Sequence, residues 1–314
     1  MGGERVPGSI HIVIVNWNTG DYLRECLESV EAAGRQDVEL ARVTVVDNGS
    51  VDGSADGPDD LDLPLEVLRN TTNIGFGAAC NQGAAGSEAD YLVFLNPDTR
   101  LFTDALAVAA RFMDSQQAGH IGICGGQMLD PDGGPEISCA RFPTLRVLFG
   151  KMTGLDVVLP RLFPSHHLTP EELTHSRPVD QVIGAFFLVR RELFARLGGF
   201  DTQYFIYYEE VDFARRAFQQ GFSSYFLKEA RVLHAENVST EQVLDVRLYH
   251  SLRSRLIYAR QRWPLWQVVL LTVLTFGVEF PARLTRSLVR RSRSDFSATA
   301  SAYGMLVREL RRAV

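Results

Sequence analysis

Apolar positions along the chain fall into short unbroken runs separated by stretches of helical spacing. Ile10–Asn16 is a β-branched run, and from Asp21 to Ala33 the residues Tyr22, Leu23, Cys26, Leu27 and Val30 recur at i, i+1, i+4, i+5 and i+8. That interval collects them on one face of a helix. Arg42–Val46 predicts a second strand, stopped by the turn sequence Asp47-Asn48-Gly49-Ser50. Leu65–Leu68 predicts a third strand, Tyr91–Leu95 a fourth that is wholly apolar, and Ile121–Cys124 a fifth. Between them, Asn73 to Gly86 predicts a Gly-rich entry into a helix of small residues. Strands without polar alternation are covered on both faces, so the pattern implies an α/β fold with a mainly parallel, Rossmann-type sheet and flanking helices.

Periodicity fades from Asp130 to Pro178, a segment rich in Pro, Gly and His, with one helix expected around Leu145–Met152. Order resumes at Val182–Val189. A helix from Arg191, the aromatic stretch Gly199–Tyr208, a helix from about Glu209 to Gln220 and strand signals at Tyr225–Leu227 and Val232–His234 follow. Beyond Val243 the chain reads as helical and basic. The organisation expected is a body over residues 1–242, divided near residue 125 into two halves (about 10–125 and 126–242), with a helical tail over 243–314.

Charge sharpens that division. Residues 1–246 carry 19 Lys+Arg against 35 Asp+Glu, whereas residues 247–314 carry 13 against 3. An acidic body excludes broad nucleic-acid binding, and a basic tail points towards something anionic. Cys26, Cys80, Cys124 and Cys139 are widely spaced with no C-x-x-C pair, so neither a zinc cage nor a disulfide framework is indicated. The first apolar run is too short for a signal peptide, and a reduced, cytoplasmic setting is expected.

The candidate chemistry lies at predicted strand ends, where ligands of open parallel sheets collect. Asn16 ends the first strand, Asp47 the second, and Asn96-Pro97-Asp98 follows the fourth. A carboxylate in the place of Asp47 can accept from ribose hydroxyls or a pyrimidine N–H. Asp98 suits a hard divalent cation that also takes phosphate oxygens. Asn73, Gly75 and Asn81 frame a Gly-rich helix entry that either admits an anion or merely packs a tight turn. Glu209, Glu210 and Asp212 open a helix, where they either complement its dipole or supply a general base. His234 reads as a core or surface imidazole, the commoner role of a lone histidine, or as a metal ligand.

In sequence order, the motifs Ile14-Val15-Asn16-Trp17-Asn18, Val45-Val46-Asp47-Asn48-Gly49-Ser50, Asn73-Ile74-Gly75-Phe76-Gly77, Leu95-Asn96-Pro97-Asp98, Gly184-Ala185-Phe186-Phe187, Gly198-Gly199-Phe200-Asp201, Tyr208-Glu209-Glu210-Val211-Asp212 and His234 resemble the family-2 glycosyltransferases of the GT-A fold, and among them the bacterial rhamnosyltransferases. The resemblance covers about residues 10–240. It implies an inverting transfer from a dTDP- or UDP-sugar, dTDP-L-rhamnose foremost and UDP-galactofuranose or another UDP- or GDP-sugar as alternatives. The acceptor it implies is a glycan or a polyprenyl-diphosphate-linked glycan. Residue by residue, it implies that Asp47 binds the base or ribose with Asn16 flanking, that Asn96 and Asp98 occupy the D-x-D position for Mg or Mn, and that His234 is a further metal ligand. Glu210 falls at the catalytic base, with Glu209 as competitor and Asp212 supporting the helix start; Gly184 and Ala185 line the acceptor side. Asn96 departs from the family's first Asp, and Glu210 from its commoner Asp. A nucleotidyltransferase is disfavoured because Asn16-Trp17-Asn18-Thr19 lacks a basic residue, and a non-catalytic nucleotide-sugar binder because metal Asp, base and His are all retained.

In the tail, Trp263 and Trp266 precede the mostly apolar Val268–Val278, with arginines on both sides. That stretch is shorter than the roughly 20 residues of a spanning helix. It suits a helix lying in the interface of an anionic membrane, on the inner face of the cell membrane, or a helix pair that dimerises.

Overall fold

The computed structural model describes residues 8–34, 38–57, 60–235 and 244–312. In chain order the strands are β1 (Ile10–Asn16), β2 (Leu40–Asp47), β3 (Leu65–Arg69), β4 (Tyr91–Leu95), β5 (Thr99–Leu101), β6 (Ile121–Leu129), β7 (Cys139–Ala140), β8 (Arg177–Val179), β9 (Gln181–Val182), β10 (Phe186–Arg190) and β11 (Ser223–His234). The helices are α1 (Tyr22–Gly34), α2 (Phe76–Ala84), α3 (Ala105–Asp114), α4 (Leu145–Thr153), α5 (Leu155–Val158), α6 (Arg191–Arg196), α7 (Glu209–Gln219), α8 (Leu244–Arg262), α9 (Leu265–Leu274), α10 (Phe280–Val289) and α11 (Arg293–Arg312). A π-helical turn, Thr275–Glu279, joins α9 to α10. Two compact units result: one of the described residues up to 141 with 167–202 and 209–235, the other of 142–166, 203–208 and 244–312.

The larger unit is built on a nine-stranded sheet in the order β3-β2-β1-β4-β10-β6-β11-β5, with β8 paired to β11. β1 pairs in parallel with β2 and β4, and β2 with β3, as the apolar runs predict. β10 then inserts antiparallel between β4 and β6, and β5 closes the edge antiparallel to the end of β11. Every residue of β1 and β4 is buried, because both faces are covered. On one face Ile12, Ile14, Val93 and Leu95 pack with Leu23, Leu27 and Val30 of α1 and Leu106 and Met113 of α3. On the other, Phe94 and Phe187 meet Phe194, Phe200 and Phe213 in an edge-to-face cluster, with Phe94 and Phe200 centroids 4.9 Å apart.

Three elements differ from the sequence pattern. The fifth predicted strand extends to Leu129, the run Val182–Val189 splits into β9 and β10, and the two signals near Tyr225 and Val232 belong to a single strand, β11. β11 stays paired to β6 by bulging: Leu227 lies opposite Gly126 and Arg231 opposite Gln127. The bulge brings the Ala230 carbonyl so close that a Cβ on Gly126 would lie 2.2 Å from its oxygen.

The smaller unit takes in two segments that precede the tail in sequence, so its contents differ from a division at residue 242. Its core joins Leu148 and Met152 of α4 to Leu252, Leu256 and Ala259 of α8, Leu271 of α9 and Tyr303 and Leu306 of α11. The segment 203–208 is held on α8: the Tyr204 hydroxyl donates to Gln261 at 2.9 Å and the Ser254 hydroxyl to the Ile206 carbonyl at 2.9 Å. Leu265–Val289 forms one helical run of 25 residues, containing an 18-residue stretch of mean hydropathy 1.6 that is mostly not buried. By length and composition alone it is long enough to cross a membrane, which corrects the shorter span read from the sequence. The apolar pattern breaks at Glu279, but the helix continues because Arg255 reaches across from α8 to Glu279 at 2.6 Å and to Thr275 at 2.9 Å, with Arg283 on the other carboxylate oxygen at 2.9 Å. Against the effect of burial, the two guanidinium groups hold the Glu279 carboxyl below its usual range.

Gly126→Ala is expected to destabilise the protein by about 1–3 kcal/mol, since the facing atom is backbone and the bulge must shift. Urea unfolding checks this: the midpoint falls with the slope unchanged. An unaltered midpoint would show that the bulge yields freely.

Candidate active site

The parallel register places Asn16 opposite Asp47 at the carboxyl ends of β1 and β2. The buried Asn16 amide donates to Asp47 Oδ1 at 3.1 Å, Ser50 Oγ at 3.1 Å and Ser54 Oγ at 2.8 Å, and its oxygen accepts from Thr19 Oγ1 at 2.5 Å. Asn16 therefore orients the Asp47 carboxylate and ties the loop after β2 to β1. Arg69 Nη1 stands 3.9 Å from Asp47 Oδ2. Asn48 joins this loop to the glycine-rich turn: its amide donates to Asn73 Oδ1 at 2.9 Å, and its oxygen accepts from the Ile74 N–H at 3.0 Å. Asn73 Oδ1 also accepts from the Gly75 N–H at 2.9 Å. Gly75 caps α2 at φ 92°, a conformation that favours glycine. Asn81 faces away from this turn and clamps Phe200, donating to its carbonyl at 2.8 Å and accepting from its N–H at 2.9 Å.

The second group assembles where β4 ends. Leu95 pairs with Phe186, so the start of β10 lies at the same edge, and the Asn96 N–H donates to the Ala185 carbonyl at 3.1 Å. Gly184 and Ala185 thus adjoin the Asn96-Pro97-Asp98 loop. β5 pairs Thr99 with His234, and the Ala235 N–H donates to the Asp98 carbonyl at 3.0 Å. This ladder brings His234 Nε2 to 3.5 Å from Asp98 Oδ1. On the other side of the ring, Nδ1 lies 3.7 Å from Glu136 Oε2. Sequence reasoning missed Glu136, which sits in the aperiodic segment after β6 and carries no local signal. An oxygen donor beside an imidazole nitrogen fits a hard or borderline divalent cation. Among the described residues no three His, Cys, Asp or Glu side chains form a ready-made cage. The donor set therefore suits a cation that completes its shell with phosphate oxygens and water.

The acidic start of α7 is the third group. The chain enters it through Tyr207 and Tyr208, at φ 67° and 73°, two successive non-glycine residues in the left-handed region. Glu209 is 4 % exposed and lies against α2, where a Cβ on Gly77 would sit 3.5 Å from Glu209 Cβ. Glu210 is less buried. Among the described residues neither Glu209 Oε2 nor Glu210 Oε2 has a hydrogen-bond partner. Burial, reinforced by the neighbouring Glu210 charge, raises the Glu209 carboxyl well above its usual range, and burial raises Glu210 as well. Asp212 differs: fully buried, it accepts from Arg216 Nε at 2.6 Å, and Arg216 in turn donates to the Leu197 and Gly199 carbonyls at 2.8 Å each. Asp212 thereby braces the turn that follows α6.

A carboxylate at the end of β2, an Asp–His pair at the β4 edge and an acidic helix start on a GT-A-type sheet define the class: this is a glycosyltransferase. The chain belongs to glycosyl transferase family 2, whose model matches residues 11–198. It is 30% identical over 305 residues to the N-acetylglucosaminyl-diphospho-decaprenol L-rhamnosyltransferase of Mycobacterium tuberculosis, covering 90% of this chain and 94% of the relative. It is 25% identical over 244 residues to rhamnosyltransferase WbbL of Escherichia coli, covering 72% of this chain and 83% of the relative. Among solved structures, the mannosyltransferase PcManGT of Pyrobaculum calidifontis, in complex with GDP-Man and Mn2+, superposes with a TM-score of 0.55 at 17% identity, over 98% of this chain and 88% of that one.

A carboxyl whose pKa is raised on folding opposes folding once the unfolded chain ionises. The stability it permits is complete below about pH 4.5 and is lost as pH rises towards the elevated native value. Glu209→Gln should therefore match wild type in stability near pH 4 and exceed it increasingly as pH rises above about 4.5, by up to about 1.4 kcal/mol per pH unit until the native carboxyl ionises. Thermal unfolding across pH checks this; a constant difference at all pH values would show that Glu209 titrates normally.

Proposed function

We propose that this glycosyltransferase moves L-rhamnose from dTDP-L-rhamnose to a polyprenyl-diphosphate-linked glycan, with inversion, in cell-wall or surface-polysaccharide synthesis. The observation that carries the catalytic part is the meeting of Asp98 and His234 at 3.5 Å beside the start of β10. The choice of sugar and acceptor is supported by the L-rhamnosyltransferase relative matched over nearly its whole length. Asp47 receives the base or ribose, positioned by Asn16. Asp98 and His234 would hold Mg or Mn, which supplies charge neutralisation at the departing diphosphate. Glu136 Oε2 faces the other ring nitrogen at 3.7 Å, close enough to favour a proton on Nδ1 electrostatically.

Glu210 serves as the general base, and burial raises its carboxyl pKa, which makes its carboxylate a stronger proton acceptor. The acceptor oxygen forms its bond to the anomeric carbon as the bond from that carbon to the diphosphate oxygen breaks. The electron pair leaves with the nucleoside diphosphate, and the acceptor proton passes to Glu210. Attack opposite the leaving group inverts the configuration. Glu209, more deeply buried against α2, is the less accessible of the two carboxylates. The smaller unit attaches to the cytoplasmic, anionic face of the membrane through Trp266 and the exposed side of α9, near lipid-linked acceptors.

Two measurements test this. Glu210→Gln should retain dTDP binding but lose about 10²–10⁴-fold in turnover, with Glu209→Gln milder; the reverse ranking would move the base to Glu209. In calorimetry with dTDP and Mn, Asp98→Ala should abolish the metal-dependent heat, and Glu136→Gln should weaken metal affinity by about 10–100-fold. Unchanged affinity in Asp98→Ala would place the metal elsewhere.

A further inference from the structure

The smaller unit has a second apolar ridge that lies outside the tail. After Gly154 ends α4 in a left-handed conformation, α5 presents Val157 and Val158 at 81 % and 73 % exposure, and Leu159 and Leu162 follow at 45 % and 59 %. The segment that displays them is internally tied. The Leu159 N–H donates to the Leu155 carbonyl at 2.8 Å, and the Phe163 N–H to the Leu159 carbonyl at 2.9 Å. Arg146 donates to the Arg161 carbonyl at 3.2 Å and to that of Leu162, and Phe163 packs on Phe149 at 5.8 Å. Four aliphatic side chains held outward within six residues of ordered backbone are disfavoured in water and call for a cover.

The neighbourhood identifies the cover. α4, which carries this segment, packs against α9 and the π-turn. α9 itself exposes Leu265, Trp266, Val269, Leu270 and Val273, one stripe at helical spacing. Cations accompany both ridges along the chain. The insert 142–166 holds Arg146, Lys151 and Arg161 against the single acid Asp156, Arg260 and Arg262 precede α9, and Arg290, Arg291 and Arg293 follow α10. Aliphatic tips accompanied by cations complement an anionic leaflet, where the tips enter the acyl boundary and the cations meet headgroups. We infer that residues 155–162 are a second membrane-insertion element acting beside α9. The inference rests on the membrane reading of the tail and adds a consequence to it. A single interfacial helix can roll about its own axis, whereas two ridges on different helices fix the unit's orientation to the bilayer.

Cys26, Cys80, Cys124 and Cys139 are all buried, so one introduced surface cysteine can be labelled selectively in the full-length protein. Val158→Cys and Trp266→Cys, each carrying an environment-sensitive fluorophore, are mixed with vesicles of phosphatidylcholine and phosphatidylglycerol. Both probes should shift to the blue and brighten severalfold, and much less with phosphatidylcholine alone. A response at 266 without one at 158 overturns the second element and leaves the tail reading standing; silence at both overturns both. Brightening at 158 on raising protein concentration without vesicles assigns the ridge to a second copy of the chain and also overturns the inference. In sedimentation with the same anionic vesicles, Val157→Asp/Val158→Asp should lower the bound-to-free ratio by about tenfold or more, with helicity by circular dichroism unchanged; undiminished sedimentation would contradict insertion.

Discussion

The pairing of Ile14 with Leu95 and of Asn16 with Asp47 fixes where β1, β2 and β4 end, and the two strand-end groups of the candidate site are referred to that edge. Parallel strands in register release their loops at one level, which is why Asp47 and the Asn96-Pro97-Asp98 loop share a border. The antiparallel strands obey the same frame. Phe186 opposite Leu95 brings Ala185 to the border, and His234 opposite Thr99 brings the imidazole. A slip of one residue in β1 or β4 would turn Ile12, Ile14, Val93 and Leu95 to the opposite face and move the strand ends together. Core and site are therefore protected by one constraint, and the site inherits the rigidity of the ladder.

How much of this is legible in the sequence follows from how local each signal is. β1 is largely and β4 wholly apolar, and α1 has clear helical spacing, so the first half of the larger unit is readable from local pattern alone. Asp98 and Glu210 are legible as candidates through resemblance, and the fold adds the surroundings that distinguish them from neighbours. β5 is three residues long and exists as a strand because the end of β11 pairs with it. Glu136 lies in a stretch without periodicity and gains meaning only from the His234 ring that it faces. The 25-residue helix from Leu265 reads as shorter because Glu279 interrupts its apolar run, while Arg255, which neutralises that charge, is on another helix. Long-range partners leave no mark in a local pattern.

The acidic start of α7 shows how one helix end gives three carboxylates three environments. All three gain from the helix dipole in the first turn. Asp212 has Arg216 at 2.6 Å and is a structural ion pair that also ties down the Leu197 and Gly199 carbonyls. Glu209 is buried against small residues of α2 without a cation and is costly to ionise. Glu210 is less buried as a residue, although its Oε2 is enclosed without a hydrogen-bond partner among the described residues, and burial raises its pKa. The left-handed residues Tyr207 and Tyr208 immediately before the helix show backbone strain localised where this acid cluster begins.

On the reading that Asn96 and Asp98 face the cation, the loop after β4 offers one carboxylate and one neutral amide. The geometry retains a carboxylate nearby but sets it elsewhere: Glu136 lies on the far side of the His234 ring from Asp98. A carboxylate that accepts from Nδ1 would leave Nε2 with its lone pair towards Asp98 and increase its basicity. The second carboxylate stays a ring's width away from Asp98, on the far side of the imidazole. For a leaving diphosphate that gathers charge as the glycosidic bond breaks, the difference matters. Like charges beside it would oppose departure, whereas a neutral amide in the place of Asn96 would not. On the proposed reading, the Asn-Pro-Asp loop with its His–Glu backing is a redistribution of charge suited to an anionic leaving group.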